Sequence, residues 1–111
     1  MQPQAPDRSA QPPRWLRSFP DFSPPPPAMP PGFNDTSWRD EAMPSFVNPE
    51  LGLRIWVDYA DPALREDPGA PRFSLARVDW DGEAGDDIVA TDDWDALVDA
   101  VEAESALSPR P

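Results

Sequence analysis

The sequence contains no cysteine and no histidine, and none of its nine basic residues is a lysine. These absences exclude disulfides, thiol and imidazole catalysis, lysine Schiff bases, and zinc sites built from Cys or His. Long apolar runs are also missing, so the sequence predicts neither a transmembrane helix nor a secretory signal, and we expect a cytoplasmic protein. Asp, Glu, Arg, Ser, Thr and Trp remain as the residues available for chemistry.

Positive charge is scarce and unevenly distributed. Nine arginines face 21 Asp and Glu residues, which gives a net charge of -12 at pH 7. Residues 50–111 hold 16 acids and 5 arginines, whereas residues 1–49 hold 5 acids and 4 arginines. Such a chain lacks the basic footprint that binds nucleic acid or anionic membranes, so we expect direct binding to neither. An acidic chain instead attracts a basic protein partner.

The 111 residues allow one domain, and proline divides the chain into parts. Eleven of the 18 prolines lie within residues 1–32. Because each proline fixes φ and lacks an N–H donor, we predict a disordered, largely polyproline II arm over 1–32, a domain over 33–107 and a loose tail over 108–111. The proline run fits either a docking motif or a spacer. Trp15 and Phe19 in the arm predict contact with the domain or with a partner.

The segment 51–59 alternates between apolar and polar residues, which predicts a strand with one core face. Its other face carries Arg54, Trp56 and Asp58. Tryptophan beside arginine is typical of protein-binding surfaces, so these three are candidate partner-binding residues. The alternative is that residues 33–47 lie over this face and cover Trp56.

Two more strands are predicted farther along the chain. Residues 72–80 change apolar parity midway, which predicts a bulge near Ala76 or Arg77. An Asp-Gly turn then leads to a short third strand at 88–90, paired with the second strand as a hairpin. Before the first strand, a cluster of N-capping residues predicts a helical turn over 37–42.

An amphipathic helix is predicted over 93–104, with Asp92 or Thr91 as its cap. Its apolar residues recur at i, i+3, i+4 and i+7, and they are Trp94, Leu97, Val98 and Val101. A single helix of this size is unstable alone, so it must dock on the sheet. The predicted fold is therefore α+β: a small three-stranded antiparallel sheet covered on one face by the C-terminal helix and preceded by the disordered arm.

The polar face of this helix carries carboxylates at positions 0, +3, +7 and +10. They are Asp92, Asp95, Asp99 and Glu102. Neighbours at this spacing lie about 5–6 Å apart, similar to successive phosphates of a nucleic-acid strand. This pattern suggests an acidic mimic of nucleic acid that inhibits a DNA-binding protein, although an ordinary solvated helix face has the same composition.

The segment 79–87 holds five carboxylates in nine residues. Three of them share the first spacings of an EF-hand, but Ala84 and Ala90 occupy positions where that loop needs Gly and Glu. We therefore predict a solvated hairpin tip and no metal site. The sequence contains no phosphate-binding loop or catalytic motif, so we expect no cofactor and no enzymatic activity. The favoured function is a non-catalytic protein-binding or regulatory adaptor.

Overall fold

A computed structural model describes residues 12–78 and 84–107 of the chain. Within these residues an antiparallel five-stranded sheet runs in sequence order, β1-β2-β3-β4-β5, and two helices flank it. The elements are α1 (Arg14–Ser18), β1 (Asn34–Asp35), β2 (Ser45–Asn48), β3 (Leu53–Val57), β4 (Phe73–Val78), β5 (Ala84–Thr91) and α2 (Trp94–Leu107). The α+β class, the antiparallel sheet and the C-terminal helix are confirmed. The prediction of three strands is wrong, because two short strands precede the first predicted one.

The core lies on one face of β3 and β4. Leu53, Ile55 and Val57 are buried, as the alternation predicts, because successive side chains of a strand point to opposite faces. In the register of these two strands, Ile55 lies opposite Leu75 and Val57 lies opposite Phe73. Burial of side chains of this size stabilises the fold by about 1.5–3 kcal/mol each.

The two additional strands lie on either side of residues 37–42, where a helical turn was predicted. Ser45–Asn48 pairs with β3, and Asn34–Asp35 pairs with β2. Residues 37–42 form a turn without a helix, in which Glu41 N–H donates to the Trp38 carbonyl. Pro44 disfavours helical backbone at the residue before it, and Phe46 at 5% exposure supplies the apolar anchor of β2.

The predicted bulge exists, but the extra residue lies on the other strand. The register of β4 with β3 is continuous from Phe73 to Arg77. Against β5, Leu75 pairs with Val89 whereas Ala76 pairs with Asp87, so Ile88 is an additional residue. A second shift follows, because Val78 pairs with Ala84 and β5 therefore holds one more residue than β4 between these pairs. The change of apolar parity in β4 thus coincides with the irregular pairing between β4 and β5. Trp80, the last residue of the predicted second strand, lies outside the described residues.

Helix α2 packs chiefly against β4 and β5. Leu97 is fully buried and Val101 is 4% exposed, and the Trp94 ring makes an edge contact with Phe73 at 5.1 Å between centroids. The cap is Asp93 rather than the predicted Asp92 or Thr91, because its Oδ1 accepts the N–H of Asp95 and its carbonyl accepts that of Leu97. No helix among the described residues is long and apolar enough to cross a membrane.

The described part of the proline-rich segment packs on the domain. Phe19 and Phe22 are 7% and 4% exposed and belong to the same core cluster as the strands. The Phe22 ring lies 4.8 Å from Tyr59, just after β3, and Trp15 packs against Phe22. Composition alone predicted disorder for 1–32, whereas its described residues, from position 12 onward, supply aromatic side chains to the core. The predicted tail at 108–111 lies outside the described residues.

Candidate functional site

The face of the sheet opposite the core carries Arg54 and Trp56 of β3. The register places Trp56 between Ser45 on β2 and Ser74 on β4. Because these cross-strand neighbours are small, they leave room beside the indole, and Trp56 is half-buried rather than enclosed. Helix α2 packs on the opposite face. On this side Ser45 and Ala76 are buried, whereas Trp56 and Ser74 are partly exposed.

A groove of about 460 Å³, here called the outer groove, lies beside Trp56. The residues that line it come from one strand-connecting loop, two strands and the β3–β4 connection; they are Asp40, Glu41, Ala42, Met43, Trp56, Glu66 and Ser74. The alternative that residues 33–47 cover Trp56 stays a prediction. The loop at 40–43 lines the groove together with Trp56, and Trp56 is partly exposed.

The electrostatics of the outer groove combine one cation with an anionic rim. The Arg54 guanidinium lies 5.1 Å from the centroid of the Trp56 ring, within the range of a cation–π contact. Arg54 Nε is buried and has no hydrogen-bond partner among the described residues. Asp40, Glu41 and Glu66 are exposed at the rim. An apolar floor with carboxylates around it is suited to a side chain that is apolar along its length and positive at its end.

Arg65 makes three hydrogen bonds within the β3–β4 connection, which also carries the groove residue Glu66. Its Nε donates to the Tyr59 carbonyl at 2.6 Å, and its two terminal nitrogens donate to the carbonyls of Ala70 and Ala60 at 2.7 and 3.2 Å. One guanidinium therefore satisfies three backbone acceptors in a loop that contains a single 3-10 turn, Pro62–Leu64. Glu66 directly follows this arginine, so the loop that carries the rim carboxylate is the one these hydrogen bonds hold.

Asp58 does not lie on the surface with Trp56, although alternation placed the two on one face. It follows the end of β3 and is 3% exposed, and its Oδ1 accepts the N–H of Tyr59 at 2.8 Å. Burial raises the pKa of Asp58, while the Tyr59 N–H and the nearby Arg65 charge oppose the rise. A buried carboxyl group of this kind is not offered to a partner.

The other predicted site residues fall into two groups. Trp15 and Phe19 contact the core of their own chain, and Trp15 N–H donates to Asp35 Oδ2 at 2.8 Å. The predicted acidic stripe is exposed, at Asp92, Asp95, Asp99 and Glu102. Asp92 precedes α2 and accepts the N–H of Arg72, so three of the four carboxylates lie on the helix itself.

The acidic segment 79–87 is described only from residue 84 onward, so the predicted hairpin tip and its calcium alternative lie outside the described residues. Asp86 and Asp87 are exposed on β5. Among residues 12–78 and 84–107, no three acidic side chains converge as metal ligands.

The rim residues Asp40, Glu41 and Glu66 were not predicted as site residues. They belong to two loops far apart in the sequence, and only the pairing of β2, β3 and β4 brings these loops to the same strand.

Comparison with protein-family models, with curated protein sequences and with solved structures gives no match.

Proposed function

We propose that this protein is a non-catalytic binding module whose outer groove takes a basic, partly apolar segment of a partner protein. The observation that supports this proposal is the position of Trp56: it forms the floor of an open groove, stacked with Arg54 and bordered by three exposed carboxylates. Interface hot spots typically contain a tryptophan at the centre, with polar residues around it.

The charge of the chain favours this choice of partner. A net charge of -12 attracts a basic segment from a distance and repels an acidic one. Once bound, an arginine or lysine of the partner places its aliphatic carbons on the indole and its charged end at Glu66 or Asp40. Catalysis is not proposed, because the chain has no histidine, cysteine or lysine and the buried Asp58 lies outside the groove lining.

A titration followed by NMR tests the groove directly. The probe is the neutral-capped peptide Ala-Arg-Leu-Arg-Ala, and the matched control is the same peptide with Glu in place of both arginines. We expect the basic peptide to shift the Trp56 indole N–H and the amides of 40–43, 66 and 74. Glu66→Gln weakens binding about two- to fivefold, the value of one exposed charge pair.

The matched variant for this experiment is Glu102→Gln, which removes the same charge from α2. We expect no change in affinity for the basic peptide. Equal weakening by the two variants would contradict a specific groove, because only the overall charge would then matter.

The second candidate function is the acidic mimic of nucleic acid, supported by the exposure of the carboxylates on α2. Asp95, Asp99 and Glu102 lie one helical turn apart along the helix, on its solvent side. Binding of a basic protein through these carboxylates would weaken steeply with salt and by about two- to fivefold in Asp95→Asn, whereas Glu66→Gln would leave it unchanged. These two variants therefore separate the two proposals.

A further inference from the structure

A second concavity, of about 250 Å³, has the opposite charge to the outer groove. Its lining residues are Arg14, Arg17 and Ser18 from α1 and its end, with Trp38 and Arg39 from the loop after β1. We call it the arginine pocket. All three arginines are exposed, and Trp38 is 47% exposed, which is high for a residue of its size and apolarity.

The arginines of this pocket form no ion pair with any carboxylate in the described ranges. The sequence holds more than twice as many acids as arginines, and Arg77 does pair with Glu104, at 2.9 Å. Each guanidinium has five N–H donors. Arg14 uses its Nε, and the remaining donors of Arg14, Arg17 and Arg39 make no hydrogen bond to the described residues. Three guanidinium groups without a carboxylate partner among the described residues therefore line one pocket, where Arg39 also lies 5.5 Å from the centroid of the Trp38 ring, and they are available to an anion.

Hydrogen bonds hold the two halves of the pocket together. Arg14 Nε donates to the carbonyl of Ser37 at 2.6 Å, and Ser37 N–H donates to Asp35 Oδ1 at 3.0 Å. The other oxygen of Asp35 accepts the N–H of Trp15 at the start of α1. Because Ser37 is fully buried, it fixes α1 against the loop that carries Trp38. The Arg14 side chain and the two segments that carry Arg17 and Arg39 are thus held in place before any ligand arrives, which reduces the ordering cost of binding.

We propose that the arginine pocket binds an aryl phosphate, as carried by a phosphorylated tyrosine side chain of a partner protein. Planar guanidinium groups match phosphate oxygens with paired hydrogen bonds, and clusters of arginine recognise phosphorylated segments in this way. Trp38 lies at the same pocket and offers a ring for contact with the tyrosyl ring. A nucleic-acid strand is disfavoured, because its further phosphates would meet the acidic remainder of the surface.

Fluorescence anisotropy with a labelled peptide tests this assignment. The probe is a five-residue neutral peptide with a central phosphotyrosine, and the comparison peptides carry tyrosine or phosphoserine at that position. We expect the phosphotyrosine peptide to bind at least tenfold more tightly than the tyrosine peptide, and more tightly than the phosphoserine peptide. Arg17→Gln and Arg39→Gln each reduce that affinity about fivefold, and Trp38→Ala reduces the preference for phosphotyrosine over phosphoserine.

Arg77→Gln is the matched control, since it removes the same charge at a distance from the pocket. We expect it to leave the affinity unchanged. Circular dichroism of every variant verifies the fold, and Arg17 and Arg39 are exposed, so their substitution preserves it. Equal binding of the tyrosine and phosphotyrosine peptides would overturn the proposal. Equal loss in Arg77→Gln, or tighter binding of a single-stranded oligonucleotide than of the phosphotyrosine peptide, would overturn it as well.

Discussion

The rings of Phe22 and Tyr59 lie 4.8 Å apart, and this contact joins the proline-rich segment to the end of β3. Phe22 is 4% exposed, so the segment contributes to the core although its composition is that of an extended chain. The fold therefore includes residues that a proline-based domain boundary would remove.

Phe22→Ala is expected to lower the free energy of unfolding by about 3 kcal/mol, because the variant leaves a cavity where a buried ring was. Urea denaturation followed by tryptophan fluorescence measures the loss. Leu64→Ala is the control, since Leu64 is 57% exposed and its truncation should change stability by less than about 0.5 kcal/mol. Similar losses in the two variants would show that the segment does not belong to the core.

The sequence predicts those elements whose residues repeat with a clear period. Leu53, Ile55 and Val57 alternate, and Leu97 and Val101 recur at helical spacing, so β3 and α2 were predicted. Strand β1 has two residues and β2 has four, which is too short for a period to emerge. They are strands because β1 pairs with β2 and β2 pairs with β3, and such pairing is a tertiary effect.

The candidate sites were predicted only in part, for the same reason. Arg54 and Trp56 lie two residues apart on one strand, so alternation places them on one face. Glu66 reaches that face through a loop held by hydrogen bonds. In the arginine pocket, Arg17 and Trp38 are brought together by packing of α1, and no local pattern in the sequence indicates such a contact.

Arg65→Gln is expected to destabilise the β3–β4 connection, because three backbone carbonyls lose their charged donor. The loss is about 1.5–3 kcal/mol, the range for a hydrogen bond to a charged group. Hydrogen exchange should accelerate at the amides of 59–70. Arg65→Lys should not restore protection, since a single ammonium group lacks the planar fork that reaches three acceptors. Unchanged exchange in Arg65→Gln would refute this role.

Asp58→Asn is expected to become increasingly stable relative to the natural protein as the pH rises. Burial raises the pKa of Asp58, so the folded state holds this proton more tightly than the unfolded state. The stabilisation from the protonated group is complete below the ordinary pKa of the carboxyl group and is lost as the pH rises through the raised pKa. The asparagine keeps an oxygen for the Tyr59 N–H and carries no charge at any pH.

Urea denaturation between about pH 4 and pH 7 measures this difference, a range that starts near the ordinary pKa of Asp. The control is Asp99→Asn, on the solvent side of α2. It measures how much the free energy of unfolding of an acidic protein rises when one negative charge is removed. The gain of Asp58→Asn should exceed it at pH 7. A stability difference between Asp58→Asn and the natural protein that stays constant over the range would contradict the raised pKa.

The order of the strands also bears on how the chain folds. Every strand pairs with the strand next to it in sequence, so each pairing closes a short loop at small entropic cost and the sheet should form quickly for a β-rich domain. The aromatic segment around Phe22 is synthesised before the sheet, yet its partner Tyr59 is made only after β3. This segment leaves the ribosome before its binding surface exists, and its docking is expected among the last steps of folding.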